Sequence, residues 1–322
     1  MNLVTGGLGL VGAQITKMLL DAGQDVTTFS RSSGEDKRSF FAGSPGKWSH
    51  VSGSLGSNED LSKVISKTKP KTIYHIGGML SIPSENNPRE SFETNVVGMF
   101  NLLDAARSLG VEQVIFASTT GTYGLDVEHT GRIDDKTLQR PITIYGSTKV
   151  TGELLGRYFK RKYDLDFRAI RLPAVIGPGA KTKNVSIYNT WAIEYAILGK
   201  PYDIFVTPEK KCPVIYYKDA ARTFIECAAA PVKNIKTVCY NMVGITPVPS
   251  AGQLREKILE HIPDAKIGYA PEELAMNYQS MNDNVTWDDT AARVEWGWKP
   301  QYDFDAIIPD FMVELKAMQE MK

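Results

Sequence analysis

The sequence has little from which to build a covalent staple, a metal centre or a membrane anchor. Its 322 residues include three cysteines, Cys212, Cys227 and Cys239, an odd number spread over the C-terminal half without a C-x-x-C pairing. That excludes a disulfide framework and reads as small buried residues in a reducing compartment, so a cytoplasmic location is expected. Four histidines, His50, His75, His129 and His261, stand far apart. Metal-ligand spacing is missing, and no metal is expected. No apolar run approaches the roughly 20 residues of a bilayer span. The first apolar run begins almost at Met1, so no signal peptide is expected. Lysine plus arginine and aspartate plus glutamate are equal at 37 each. No excess charge is present to recruit nucleic acid or an anionic membrane surface.

What is present begins with glycine. Leu3 and Val4 run into Thr5-Gly6-Gly7-Leu8-Gly9-Leu10-Val11-Gly12, and Ile15, Met18, Leu19 and Leu20 follow at helical spacing. Read as G-x-G-x-x-G on Gly7, Gly9 and Gly12, this is a strand, a tight turn and a helix. The glycines permit the turn, the close approach of a pyrophosphate and the packing of helix on strand. The phosphates would sit on the free N–H groups of the helix N-terminus. A second strand over 25–29 completes the context of a dinucleotide site.

Strand and helix patterns then alternate. A polar loop spans 30–46, a short strand 48–51 and a helix 58–67, which ends before Pro70. A strand over 72–76 leads through Gly77 to Ser81 as a loop, and helical spacing runs from Arg89 to Leu109 until Gly110 stops it. An apolar strand at 114–117, a long helix at 145–163 and a strand at 167–172 follow. Apolar runs without alternation describe a parallel sheet covered on both faces. The expected fold is therefore α/β, a Rossmann-type doubly wound parallel sheet with a smaller C-terminal substrate-binding domain. The composition shift at Pro173 sets the boundary, with 1–173 binding the nucleotide and 174–322 the substrate, and part of 210–245 packing back on the first domain.

Tyr145 and Lys149 lie four residues apart on one helix face, about 6 Å along the axis. An ammonium beside a phenol favours phenolate and is expected to lower the tyrosine from its usual pKa of about 10, making it a general acid or base. Tyr158 and Lys162 have the same spacing, but among Lys160 and Arg161 they read as a solvated face. Ser118, Thr119 and Thr120 place hydroxyls at the carboxyl edge of the sheet, where ligands bind in such folds.

Together these motifs resemble the extended short-chain dehydrogenase/reductases. The resemblance rests on Thr5 to Gly12, Tyr74-His75-Ile76-Gly77-Gly78, Glu93-Thr94-Asn95-Val96, Ser118 to Gly124, Tyr145-Gly146-Ser147-Thr148-Lys149 and Arg171 to Gly179. It implies that Tyr145 is the acid/base, Thr119 its hydroxyl partner and Lys149 the residue holding the cofactor ribose, with the backbone after Pro173 near the nicotinamide. The cofactor-binding set it implies is Gly6, Gly9, Leu10, Val11, Gly12, Ser30, Arg31, Ser54, Leu55, Gly77, Tyr145, Lys149 and Pro173. The second half, with Lys211 to Ala220, Asn87-Pro88 and Asp288-Asp289 before Arg293, is similar to the short-chain type of L-threonine dehydrogenase. That similarity gives Ser81, Thr119 and Ser186 a place by the substrate. It implies hydride transfer between NAD(P) and the secondary alcohol of a small hydroxy acid or hydroxy amino acid, in a homodimer. The alternative is a nucleotide-sugar epimerase or dehydratase with tightly bound NAD, but Cys212 stands where such enzymes carry a phosphate-binding arginine.

Two departures qualify the resemblance. Val185-Ser186-Ile187-Tyr188 stands where threonine dehydrogenases of this type have Thr-Thr-Asp-Tyr, so the acidic residue is missing. After the second strand, Ser30 and Arg31 replace the carboxylate that hydrogen-bonds the 2′-hydroxyl of NAD, with Lys37 and Arg38 close behind. That balance favours NADP over NAD.

Overall fold

The computed structural model describes residues 1–320, apart from the side chains of Glu128 and His129. Its centre is a seven-stranded sheet formed by β1 (Asn2–Thr5), β2 (Val26–Ser30), β3 (Trp48–Ser52), β4 (Thr72–His75), β5 (Gln113–Thr119), β6 (Asp166–Leu172) and β7 (Cys239–Asn241). The strands are ordered β7-β6-β5-β4-β1-β2-β3, and every neighbouring pair is parallel. The chain order therefore reverses beside β1, between β2 and β4. A crevice opens above such a reversal, where the flanking connections leave to opposite sides.

Alternation along each strand feeds two cores. Val4, Tyr74, Ile115, Ala117 and Ile170 face one side, packed against Ile15 and Leu19 of α1 (Leu10–Asp21) and Ala220 and Phe224 of the Tyr217–Ala229 helix. Leu3, Ile73, Val114, Phe116 and Phe167 face the other, against Leu61, Val64, Leu102 and Phe159. A third core lies beyond Pro173, built from Ile193, Ile204, Val214, Leu254, Ile258, Ile307 and Phe311. Two short parallel pairs support it, Ala174–Ile176 with Val214–Tyr216 and Tyr202–Ile204 with Ile267–Tyr269. The chain after residue 210 thus serves both cores: β7 joins the central sheet and the Tyr217–Ala229 helix lies on α1.

Two local differences from the sequence pattern have physical causes. The loop over 30–46 contains a helical turn, Arg38–Phe41, because Phe41 buries its ring against Trp48 at 5.0 Å between centroids. The long helix ending at Ser108 begins at Pro88 and widens into a π-turn at Glu93–Val97. Within that turn Asn95 is buried. Its Oδ1 accepts from Met79 N at 2.8 Å and its Nδ2 donates to Met79 O at 3.0 Å, pinning the backbone of the loop after β4.

Candidate active site

The glycine turn is built differently from its simplest sequence reading. Gly6, not Gly7, takes the positive φ of 65° that turns the chain, a conformation costly for any other residue. A methyl group on Gly12 would lie 2.2 Å from Gly6 O, so α1 meets the turn at closest approach there. Gly7 instead faces the Thr28 side chain. The working triplet is Gly6, Gly9 and Gly12. Gly9 is the N-cap of α1 and offers no side-chain cap, and no acidic residue lies in the first turn. The first amides of α1 are left to an external acceptor, the arrangement that suits a pyrophosphate. The cradle thus fits a dinucleotide.

A cleft of about 1480 Å³ runs from this turn across the carboxyl edge of the sheet. Every sequence-derived site residue lies on its wall: Gly6, Gly9, Leu10, Val11, Gly12, Ser30, Arg31, Ser54, Leu55, Gly77, Ser81, Thr119, Tyr145, Lys149, Pro173 and Ser186. At the β2 end Arg31 is exposed, with Nη1 3.8 Å from Glu90 Oε1. Lys37 and Asp36 line the same end, so the local charge is more mixed than the short stretch after β2 suggests. Glu90 comes from a distant part of the chain, which is why a local reading misses it.

At the other end stand the hydroxyls. Tyr145 opens the Ile144–Tyr163 helix, which Thr143 caps by accepting from Gly146 N at 3.0 Å. Thr119 ends β5, and its Oγ1 accepts from Gly121 N at 3.1 Å, which leaves its own proton free to donate. The Thr119 hydroxyl stands beside the Tyr145 phenol, near enough to favour its ionised form. Lys149 is almost wholly buried. Its Nζ donates to Ala117 O at 2.8 Å and lies 4.7 Å from the Phe116 ring centre and 5.7 Å from that of Tyr145.

The electrostatics correct one expectation. Tyr145 is not acidified in this state: burial pushes its phenol well above the usual range, and the neighbouring Thr119 hydroxyl offsets only part of that. Burial acts on Lys149 in the opposite sense, bringing its ammonium down to about 8, partly countered by the Glu153 carboxylate. Both shifts have one physical source, since removing water penalises whichever form carries charge. Beneath them Thr5 Oγ1 and His75 Nδ1 share a hydrogen bond of 2.7 Å, and burial holds His75 down to about 3 and hence neutral.

Several wall residues carry no sequence signal. Tyr278, Gln279, Met281, Asn282 and Trp287 reach the cleft from the C-terminal part. They are locked in series: Trp287 Nε1 donates to Asn282 Oδ1 at 3.1 Å, Asn282 Nδ2 to Gln279 Oε1 at 2.8 Å, and Gln279 Nε2 to Val185 O at 3.2 Å. Among the described residues there is no cluster of potential metal ligands, and no helix is long and apolar enough to cross a membrane.

Comparisons with known proteins agree with this geometry. The mitochondrial L-threonine 3-dehydrogenase of Sus scrofa is 28% identical over 313 residues, covering 95% of this chain and 80% of its own. An uncharacterized epimerase/dehydratase of Staphylococcus saprophyticus is 30% identical over 271 residues, covering 81% and 82%. The L-threonine 3-dehydrogenase of Trypanosoma brucei superposes with a TM-score of 0.87 at 25% identity, covering 99% of this chain and 98% of its own. The model of the NAD dependent epimerase/dehydratase family matches residues 2–242. That span opens with β1 and closes just past β7, taking in the glycine cradle and the Tyr145 helix: the chain belongs to the NAD dependent epimerase/dehydratase family and is a nicotinamide-dependent oxidoreductase of the extended short-chain type.

Proposed function

We propose that the chain catalyses reversible hydride transfer between NADP and the secondary alcohol of a short hydroxy acid or hydroxy amino acid such as L-threonine. The observation that carries this reading is the meeting of the Thr119 and Tyr145 hydroxyls on the cleft that begins at the glycine cradle. In the oxidation direction the substrate hydroxyl lies between them. Thr119 holds its oxygen and Tyr145 takes its proton, while Lys149, fixed on Ala117 O, orients the ribose and favours the phenolate. The bound nicotinamide supplies a two-electron acceptor for the hydride. Residues 174–322 serve as the substrate domain, with Ser81 and Ser186 on the same cleft. Three free, buried cysteines suit a reducing compartment such as the cytoplasm.

The test is the absorbance of reduced nicotinamide when NAD+ and NADP+ are titrated against L-threonine and related hydroxy acids. Net reduction supports the reading. An epimerase, which regenerates its cofactor in every cycle, gives none.

Arg31 and Lys37 at the β2 end favour a 2′-phosphate. Arg31→Ala is accordingly expected to raise KM for NADP+ by about 10–100-fold, as for losing a hydrogen bond to a charged group, with NAD+ nearly unaffected. Equal effects on both cofactors would remove this preference.

Phe92, Phe100, Leu154 and Tyr158 are 49%, 46%, 60% and 42% exposed on the two helical segments flanking one sheet face. Exposed aromatic and aliphatic groups of this size mark an interface, and we infer a homodimer through it. Sedimentation should give twice the chain mass, falling to the monomer in Phe100→Glu; a monomeric parent would refute the assignment.

A further inference from the structure

We propose that Tyr278 is a substrate-contacting specificity residue whose phenol hydroxyl donates to a carboxylate oxygen of the hydroxy acid or hydroxy amino acid; this rests on the hydride-transfer reading above. Three independent observations place it. Tyr278 lines the catalytic cleft. Its hydroxyl oxygen lies 2.7 Å from where a Cβ on Gly121 would stand, and that same Cβ position is 3.4 Å from Thr119 Oγ1. The phenol therefore occupies the space that glycine leaves open beside the catalytic hydroxyls, and any side chain at 121 would displace it. Its neighbours on the same segment are fixed through Gln279 to Val185 and through Asn282 to Trp287. The ring is thus presented from a braced wall.

Among the described residues, the Tyr278 hydroxyl has no hydrogen-bond partner in the protein, in contrast to Thr119, which accepts from Gly121 N. Tyr278 is half-buried on the cleft wall, so its hydroxyl is open to a ligand in the cleft. Burial holds it protonated, up to about 12, so it faces the cleft as a neutral donor. The acceptor that suits it is an oxygen of the substrate carboxylate. The residues around it, Gln279, Asn282 and Cys212, are uncharged, and recognition at this end runs through neutral hydrogen bonds in place of an ion pair.

The experiment is steady-state kinetics of Tyr278→Phe, which keeps the ring and removes only the hydroxyl, with L-threonine and the hydroxy acids of the same panel. The expected result is a KM for the organic substrate raised about 3–10-fold, the size of one neutral hydrogen bond, with kcat, the KM for the cofactor and the melting midpoint nearly unchanged. An unchanged substrate KM overturns the proposal, as does a loss that appears equally in cofactor affinity or in the melting midpoint. A second variant, Gly121→Ala, presses a methyl group against the phenol and should also raise the substrate KM; in Gly121→Ala/Tyr278→Phe, where the clashing oxygen is gone, the methyl should cost far less. A methyl penalty that persists undiminished counts against the contact. If the unaltered enzyme reduces neither NAD+ nor NADP+ with any member of the panel, the hydride-transfer reading itself fails, an outcome distinct from failure of the Tyr278 contact.

Discussion

Tyr145→Phe is expected to lower the turnover number by about 10²–10⁴-fold, the range for losing a positioned acid or base, while cofactor affinity stays within about twofold. The ring survives the substitution, so the wall of the cleft and the hydrophobic side of Lys149 are preserved. Only the group that exchanges a proton with the alcohol is lost. The pH dependence gives a second readout with a definite sign. Oxidation needs the phenol in its basic form, and burial pushes the phenol above its usual range, so oxidation by the unaltered enzyme should climb as pH rises from neutral. Reduction draws a proton from the phenol, already present at neutral pH, and should not climb. In the Phe variant the rising limb should vanish. Turnover equal to the parent, or an undiminished alkaline rise, would show that the proton moves by another route.

The first half of the chain was legible because its signals are local. A glycine triplet at fixed spacing, a strand before it and a helix after it require no knowledge of distant residues, and neither does the four-residue spacing of Tyr145 and Lys149. Even there, which glycine turns the chain depended on contact: Gly6 is adjacent to Gly77 on a neighbouring connection, and Gly7 is taken up by Thr28. The Tyr158–Lys162 pair shows the limit of spacing by itself. It matches the catalytic pair in sequence, yet both residues lie exposed near the C-terminal end of their helix.

What could not be read depends on walls that only the folded chain assembles. The direction of the Tyr145 shift is one case, because helix geometry predicts the nearness of an ammonium but not how completely water is excluded. In the structure Lys149 gives its hydrogen bond to Ala117 O, and burial of the phenol sets the direction of its shift. The substrate wall is another. Tyr278 and Asn282 come from a segment without motif or periodicity, and the Tyr278 hydroxyl stands beside Gly121 and Thr119 across more than 150 positions of sequence. That wall packs as a small cluster of its own, in which Met281, Trp287 and Tyr278 meet Tyr123, Val127 and Ile133 from the first half of the chain.

Arg171→Met should be the most destabilising single change at the site, costing about 3–5 kcal/mol, because it strands a buried carboxylate. Arg171 and Glu153 have side chains only 3% and 2% exposed, paired through Nη2–Oε2 at 2.7 Å and Nε–Oε1 at 2.9 Å. Arg171 Nη1 also donates to the Tyr123 hydroxyl at 2.8 Å, which in turn donates to Asn241 Oδ1 at 2.9 Å. The pair thus ties β6 to the Tyr145 helix and to β7. At about 2–4 °C per kcal/mol, the melting midpoint should fall by roughly 10 °C. Catalysis should suffer as well. Glu153 stands one turn beyond Lys149 and accepts from the Ser118 hydroxyl at 2.5 Å, the residue before Thr119, so a displaced carboxylate disturbs both sides of the acid/base pair. Replacing both partners, as Arg171→Met with Glu153→Leu, removes the stranded charge and should recover much of the stability. It should not recover the activity, because Ser118 then has no acceptor. Urea unfolding of the two single variants and the double separates these terms. A loss below about 1 kcal/mol in Arg171→Met would mean that water reaches Glu153 and that the buried pair is not what holds the strand end under the active site.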